Sequence, residues 1–329
     1  MAAEVILSVR DLVTEFTTDN GLVRVLDGVS FEVKQGKTLG IVGESGCGKS
    51  VTAMSIMGLL PRPYGQVVSG EVRFKQTDLL SLSPQELYQM RGNRISMIFQ
   101  DPMTALNPVH TVGKQINEVL VLHRPELSKR QRYDYAISML AKVGIPSPEQ
   151  RIHEFPHNLS GGMRQRVMIA IALACQPDVL ICDEPTTALD VTVQAQILDL
   201  MREIQQQTGM AIIFITHDLG VVAEVCDDVV VMYAGKAVES TNVFALFEQA
   251  KHPYSIGLMQ SMPTLNTGHK SLLKTIPGNV PHLNDMPEGC RFCTRCQHAT
   301  DTCQHQVPQW ELVSHDHSVS CHHWREVAQ

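Results

Sequence analysis

Apolar and polar positions roughly alternate over the first 35 residues. EVILSVRDLVTEF and GLVRVLDGVSFEV are rich in Val, Leu and Phe, and DNG at Asp19–Gly21 separates them. Period-two alternation around such a break predicts two antiparallel strands joined by a turn. A short apolar strand, TLGIVG, follows and runs into a glycine-rich turn, after which KSVTAMSIMGLL has helical character. From about 101 to 158 the chain is more polar and broken at NP, RP, IPSP and FPH, with two helical patterns. In KRQRYDYAISMLAKVGI the spacing puts Ile137, Leu140, Ala141 and Gly144 on one helical face.

The pattern then turns strictly α/β. A helix is predicted through MRQRVMIAIALAC, a strand through DVLICDE, and a helix through VTVQAQILDLMREIQQQ, where Val193, Ile197, Leu200, Met201 and Ile204 share helical spacing. The strand AIIFITH, another helix and the strand DDVVVMYAG complete it. Strands alternating with helices predict a parallel sheet. From about Lys251 periodicity fades and Pro, Gly, His and Cys accumulate. Roughly 80 residues there read as an irregular extension with too little apolar content to hold a shape without a staple.

Composition narrows the classes. With 329 residues and 43% apolar side chains the chain can bury a sizeable core and has room for two domains. A formal net charge of −7 argues against a dedicated nucleic-acid binder, which carries a basic face. The first residues lack a basic stretch followed by a long apolar run, and the longest apolar run, Val167–Cys175, falls short of a membrane span. The chain therefore reads as cytosolic, where thiols stay reduced. Yet five of its nine cysteines crowd into the last 40 residues: Cys290, Cys293, Cys296, Cys303 and Cys321. In a reducing compartment such a cluster points to metal or redox chemistry before disulfides.

Two motifs carry phosphate chemistry. Gly43, Glu44, Ser45, Gly46, Cys47, Gly48, Lys49 and Ser50 match GxxxxGK[ST] between a predicted strand and a predicted helix. The glycines let successive N–H groups point into one concavity, and the helix N-terminus adds partial positive charge. Lys49 is placed for the β- and γ-phosphates and the Ser50 hydroxyl for Mg²⁺. Downstream, the apolar strand Val179–Cys182 ends in Asp183 and Glu184. Asp183 suits the Mg²⁺ shell at the strand's C-terminal edge, and Glu184 suits a general base that polarises the attacking water.

Between them lies Leu159-Ser-Gly-Gly-Met163, followed by RQRV. With these motifs in order, residues 4–250 resemble an ATP-binding cassette (ABC) ATPase: a P-loop α/β fold with a mixed sheet core, an antiparallel β subdomain and a helical subdomain at about 101–158. The resemblance implies an adenine-stacking role for Phe16 and a Mg²⁺- and water-contacting role for Gln100. It makes Ser160, Gly161 and Gly162 the signature motif, Asp190 of Ala188-Leu-Asp190 the inter-subunit loop, and His217 the switch histidine on the γ-phosphate. In this family the signature helix of one subunit caps ATP held by the P-loop of another, and the helical subdomain grips a membrane permease. Cys47 stands where the loop often has serine, but its backbone N–H does the binding.

The tail refines the resemblance. HPYSIGL, IPGNVP and the cysteine run in residues 251–329 are similar to ATP-binding subunits of dipeptide and oligopeptide importers. That family's pattern implies a [4Fe–4S] cluster on Cys290, Cys296, Cys303 and Cys321, with Cys293 as an addition. Spacing alone instead resembles a ferredoxin run, Cys290-x2-Cys293-x2-Cys296, with Cys303 or Cys321 fourth. Four thiolates also suit Zn²⁺, and free thiols are the plain alternative. The neighbouring histidines from His298 to His323 read as solvated. Cys175, Cys182 and Cys226 read as core.

The resemblance implies ATP hydrolysis driving peptide uptake, from a peripheral position on the cytoplasmic face of the inner membrane. The implied partners are a paralogous cassette in a heterodimer with ATP between the two, two permease subunits and an external peptide-binding protein, and no nucleic acid. Import of nickel, an antimicrobial peptide or another solute is the alternative. A soluble ABC ATPase of DNA repair or translation is the rival from another class.

Overall fold

The alternating N-terminal segments fold as the two long strands β1 (Val5–Thr18) and β2 (Gly21–Lys34). On β2 the alternation is literal, with Val29, Phe31 and Val33 buried and the residues between them exposed. The computed structural model describes residues 4–19, 21–186, 190–262 and 275–327, so Asn20 of the predicted turn and Ala188 and Leu189 beside Asp190 lie outside the described residues. The chain forms two units. One comprises Met1–Ile6, Val33–Lys37 and Ser81–Phe214; the other Leu7–Glu32, Thr38–Leu80 and Ile215–Gln329.

In the second unit β1 lies between β2 and β4 (Gly65–Phe74), with the two-residue β5 (Thr77–Asp78) at the far edge of this four-stranded antiparallel sheet. Its register slips between Arg10 and Thr14. Gly70 sits opposite the slip at φ +106°, where a Cβ would come within 2.6 Å of the Asp11 carbonyl oxygen, so only glycine fits. β3 (Thr38–Val42) is buried throughout and delivers the chain to α1 (Lys49–Met57).

The first unit carries the helical segment. α2 (Pro84–Met90) starts with a reciprocal capping box between Ser83 and Glu86. After β6 (Ile95–Ile98) come the short α3 (Pro102–Ala105), then α4 (Val112–His123), α5 (Lys129–Lys142) and the short α6 (Pro148–Arg151). The two predicted helical patterns are thus α4 and α5, but the predicted face of α5 is off by one position. The buried residues are Ala136, Met139 and Leu140, with Val143 just beyond, while Ala141 and Gly144 are exposed. Both sets have helical spacing, and packing against α4 and α7 (Gly161–Leu173) selects the bulkier one. β6 pairs in parallel with β7 (Val179–Asp183), Ile98 standing opposite Cys182. α8 (Val191–Thr208) buries Ile197, Met201 and Ile204 of the predicted set, leaves Val193 and Leu200 half-buried, and leads to β8 (Ala211–Thr216), next to β7.

Returning to the second unit, α9 (Leu219–Val225) precedes β9 (Asp228–Tyr233), which pairs in parallel with β3. β10 (Lys236–Asn242) runs antiparallel to β9, so the sheet is mixed. α10 (Val243–Gln249) and α11 (Pro253–Gln260) follow. The pattern reading takes the rest as irregular, and the structure differs. It contains α12 (Asp301–His305), a hairpin of β11 (Glu311–Ser314) and β12 (His317–Val319), and α13 (Trp324–Val327). β12 pairs with β10, so the chain's end extends the sheet. Strands of three and four residues are too short to show a period. Cys175, Cys182 and Cys226 are buried, as core thiols should be. Among the described residues no helix is long and apolar enough to cross a membrane.

Candidate nucleotide site and cysteine pocket

The phosphate-loop motif lies where β3 ends and α1 begins. Gly43 is pressed against its surroundings: a Cβ there would stand 2.2 Å from the Met232 carbonyl oxygen and 2.8 Å from Cys47 Sγ. Lys49 is buried at 6% exposure, and its ammonium donates to the carbonyls of Gly43 at 2.7 Å and Glu44 at 3.1 Å. The Cys47 N–H donates to the Glu44 carbonyl at 3.3 Å, and burial pushes its thiol up against the pull of Lys49. Ser50 follows as the second residue of α1, half-buried.

One contact pair at this loop has no counterpart in the motif. The Glu44 N–H donates to Tyr254 Oη at 2.8 Å, and its carboxylate takes both arms of Arg295, Nη1 at 2.6 Å and Nη2 at 3.0 Å. Phe16 is half-buried on β1 opposite Gly65, where a Cβ would meet its ring at 2.9 Å. His217 follows β8 and is exposed, while its neighbour Asp218 caps α9.

The first unit gathers a different set. Asp183 ends β7 at 5% exposure, and Glu184 follows at φ +47°, a left-handed conformation that a non-glycine residue adopts at a cost. Gln100 Nε2 donates to Glu184 Oε2 at 3.1 Å, so two predicted site residues 84 positions apart meet. Ser160 caps α7 by accepting from the Met163 N–H at 3.3 Å, and Gly161 and Gly162 form the helix's first turn. Gly162 lies against Val193, which a Cβ would approach to 3.2 Å. Asp190 caps α8 by accepting from the Val193 N–H at 2.9 Å. Gln165, which the motifs do not single out, donates from α7 to the Pro185 carbonyl at 2.5 Å, tying that helix to the loop after Glu184.

The five tail cysteines converge. Cys290, Cys293, Cys296, Cys303 and Cys321 line one pocket in the second unit, with His252 and Phe292 beside them. Burial is the main cause pushing the Cys290 thiol up to about 12 and the Cys321 thiol to about 11. Among the described residues no group of three or more His, Cys, Asp or Glu side chains is arranged to hold a metal ion. The donor set of a thiolate site is therefore gathered in one place but not closed around a single ion.

Two family models match the chain: ABC transporter over residues 26–187, and oligopeptide/dipeptide transporter, C-terminal region, over residues 238–303. The chain is 52% identical to a probable peptide ABC transporter ATP-binding protein of Sinorhizobium fredii, covering 98% of this chain and 96% of that protein. It is 51% identical to a dipeptide transport ATP-binding protein of Bacillus subtilis, covering 97% and 94%. The chain belongs to the ATP-binding subunits of peptide ABC transporters. A solved dimeric ATP-binding cassette in a post-hydrolysis state, bound to ADP and Pi, is similar in fold. Its TM-score is 0.65 at 25% identity, over 72% of this chain and 98% of that one. As an ABC ATPase the chain uses ATP with Mg²⁺ and couples hydrolysis to transport.

Proposed function

We propose that this chain powers uptake of dipeptides or oligopeptides, working peripherally on the cytoplasmic face of the inner membrane. Its partners are two permease subunits, an external peptide-binding protein and a paralogous cassette in a heterodimer. The observation that carries the reading is the match of residues 238–303 to the oligopeptide/dipeptide transporter C-terminal region, in a chain whose residues 26–187 match the ABC transporter model.

In this reading the backbone of Gly43–Gly48 and the Lys49 ammonium hold the triphosphate, and Phe16 stacks on adenine. Ser50, Gln100 and Asp183 would hold Mg²⁺, which would supply charge neutralisation to the phosphates. Glu184 accepts a proton from water as the water oxygen bonds to the γ-phosphorus; the bridging P–O bond breaks and ADP leaves. The Gln100 amide, which donates to Glu184 Oε2, orients the carboxylate for this. His217 contacts the γ-phosphate, while Ser160, Gly161, Gly162 and Asp190 serve the nucleotide held by the paired cassette. Glu184→Gln should keep MgATP binding and lower turnover by about a hundredfold or more; turnover near wild type refutes the general-base role.

The cysteine pocket is read as the seat of a [4Fe–4S] cluster on Cys290, Cys296, Cys303 and Cys321, with Cys293 as the alternate ligand. Five thiols in one pocket support it. Four of these thiolates would also suit a tetrahedral zinc, which is the alternative occupant. Such a cluster would staple a segment poor in apolar content.

A further inference from the structure

Arg295 lies between Cys293 and Cys296, yet it spends its guanidinium on the phosphate loop. Its side chain is 4% exposed. Both arms hold the Glu44 carboxylate, at 2.6 and 3.0 Å, and Nε donates to the Pro277 carbonyl at 3.0 Å. The guanidinium carbon lies 5.7 Å from the centre of the Tyr233 ring and 5.9 Å from that of Phe292. Tyr233 packs edge-to-face with Phe292 and with Tyr254, whose hydroxyl accepts the Glu44 N–H. The fork is thus held in place before it meets its partner, the geometry in which a bidentate Arg–carboxylate pair is strongest.

Glu44 occupies an awkward position for a carboxylate. It follows Gly43 in a loop built to receive a polyanion, and its own carbonyl accepts from Lys49. An unpaired negative charge there opposes phosphate entry; paired with a buried guanidinium it does not. We propose that Arg295 is a positioning residue for nucleotide binding. It neutralises Glu44 and, together with Tyr254, sets the first turn of the phosphate loop, so that the cysteine-bearing loop supplies part of the nucleotide site's electrostatics. This rests on the reading that the loop binds ATP.

The test is a thermodynamic cycle on the full-length chain, titrated with MgATP. Arg295→Ala should weaken MgATP binding about tenfold, and added salt should shrink that penalty by screening Glu44. In a Glu44→Gln background, where no carboxylate needs a cation, Arg295→Ala should change affinity less than about twofold. Arg295→Lys, which keeps the charge but loses the fork, should fall between wild type and Arg295→Ala, and covers the case in which alanine prevents folding. An equal penalty in both backgrounds, or no penalty in either, overturns the proposal, because a merely structural arginine would not care about the charge at position 44. Failure of the wild-type chain to bind MgATP would overturn the nucleotide reading itself, and would appear in the first titration before any variant is made.

Discussion

Besides the pairing of β12 with β10, the C-terminal hairpin is tied to the sheet by a buried histidine–carboxylate contact, and removing half of it is a quantitative test of how the tail is anchored. Glu239 on β10 is fully buried, and His317, one of the histidines the pattern reading takes as solvated, is 4% exposed. Its Oε1 takes His317 Nε2 at 2.7 Å and the Lys251 N–H at 2.6 Å, and its Oε2 takes the His252 N–H at 3.0 Å. Burial pushes the carboxyl up, but His317, Ser255 and the backbone donors outweigh it and hold the group below its ordinary 4.5. His317→Ala leaves the two backbone donors in place and removes one side-chain partner, which puts the cost near the upper end for losing a hydrogen bond to a charged group, about 3 kcal/mol. For a unit of this size each kcal/mol moves the midpoint by roughly 2–4 °C, so the transition should fall by about 6–12 °C. The assay is tryptophan fluorescence during heating, because both tryptophans, Trp310 and Trp324, sit in this terminal segment, and Trp324 Nε1 bonds Glu311 on β11 at 3.0 Å. The sign with pH follows from the depressed carboxyl. Its stabilisation is present above the unfolded value and is lost as pH falls through the folded one, so the penalty at neutral pH should shrink as pH falls below the ordinary 4.5. A shift under about 2 °C, or a penalty equal at both pH values, refutes the anchoring argument.

Gly43→Ala should reduce MgATP affinity at least about tenfold, because its Cβ would lie 2.2 Å from the Met232 carbonyl oxygen and the loop must move; a titration superimposable on wild type would show that the loop tolerates the shift. Anaerobically purified chain should carry about four iron and four acid-labile sulfide per chain, measured by elemental and sulfide analysis; one zinc without colour would replace the cluster with a plain staple and remove the redox possibility.

Local chemistry was legible where a short stretch does its work by itself. The GESGCGKS loop, the capped helix after Leu159-Ser-Gly-Gly and the acidic end of β7 each depend on backbone geometry set by their own neighbours, and the structure places them on a strand–helix junction, a helix N-terminus and a strand end. The pattern reading leaves 61–100 unassigned, although β4, β5 and β6 lie there. The alternation in GQVVSGEVRF was an available signal, while ISMI is four residues and fully buried, so no period could show.

From the sequence alone came the phosphate loop, the carboxylates after the apolar strand, the α/β rhythm and a crowded set of thiols, because each is a residue type needed at a fixed short spacing. Only the tertiary structure decided which face of α5 is buried, that the tail ends in strands added to β10, and that Gln100 meets Glu184 across 84 positions. It also decided that Arg295 reaches back 251 positions to Glu44 and His317 reaches back 78 to Glu239. An arginine or a histidine among other polar residues carries no local mark of its partner. Burial removes water as a competitor, and chain topology then determines which charge is left to answer it.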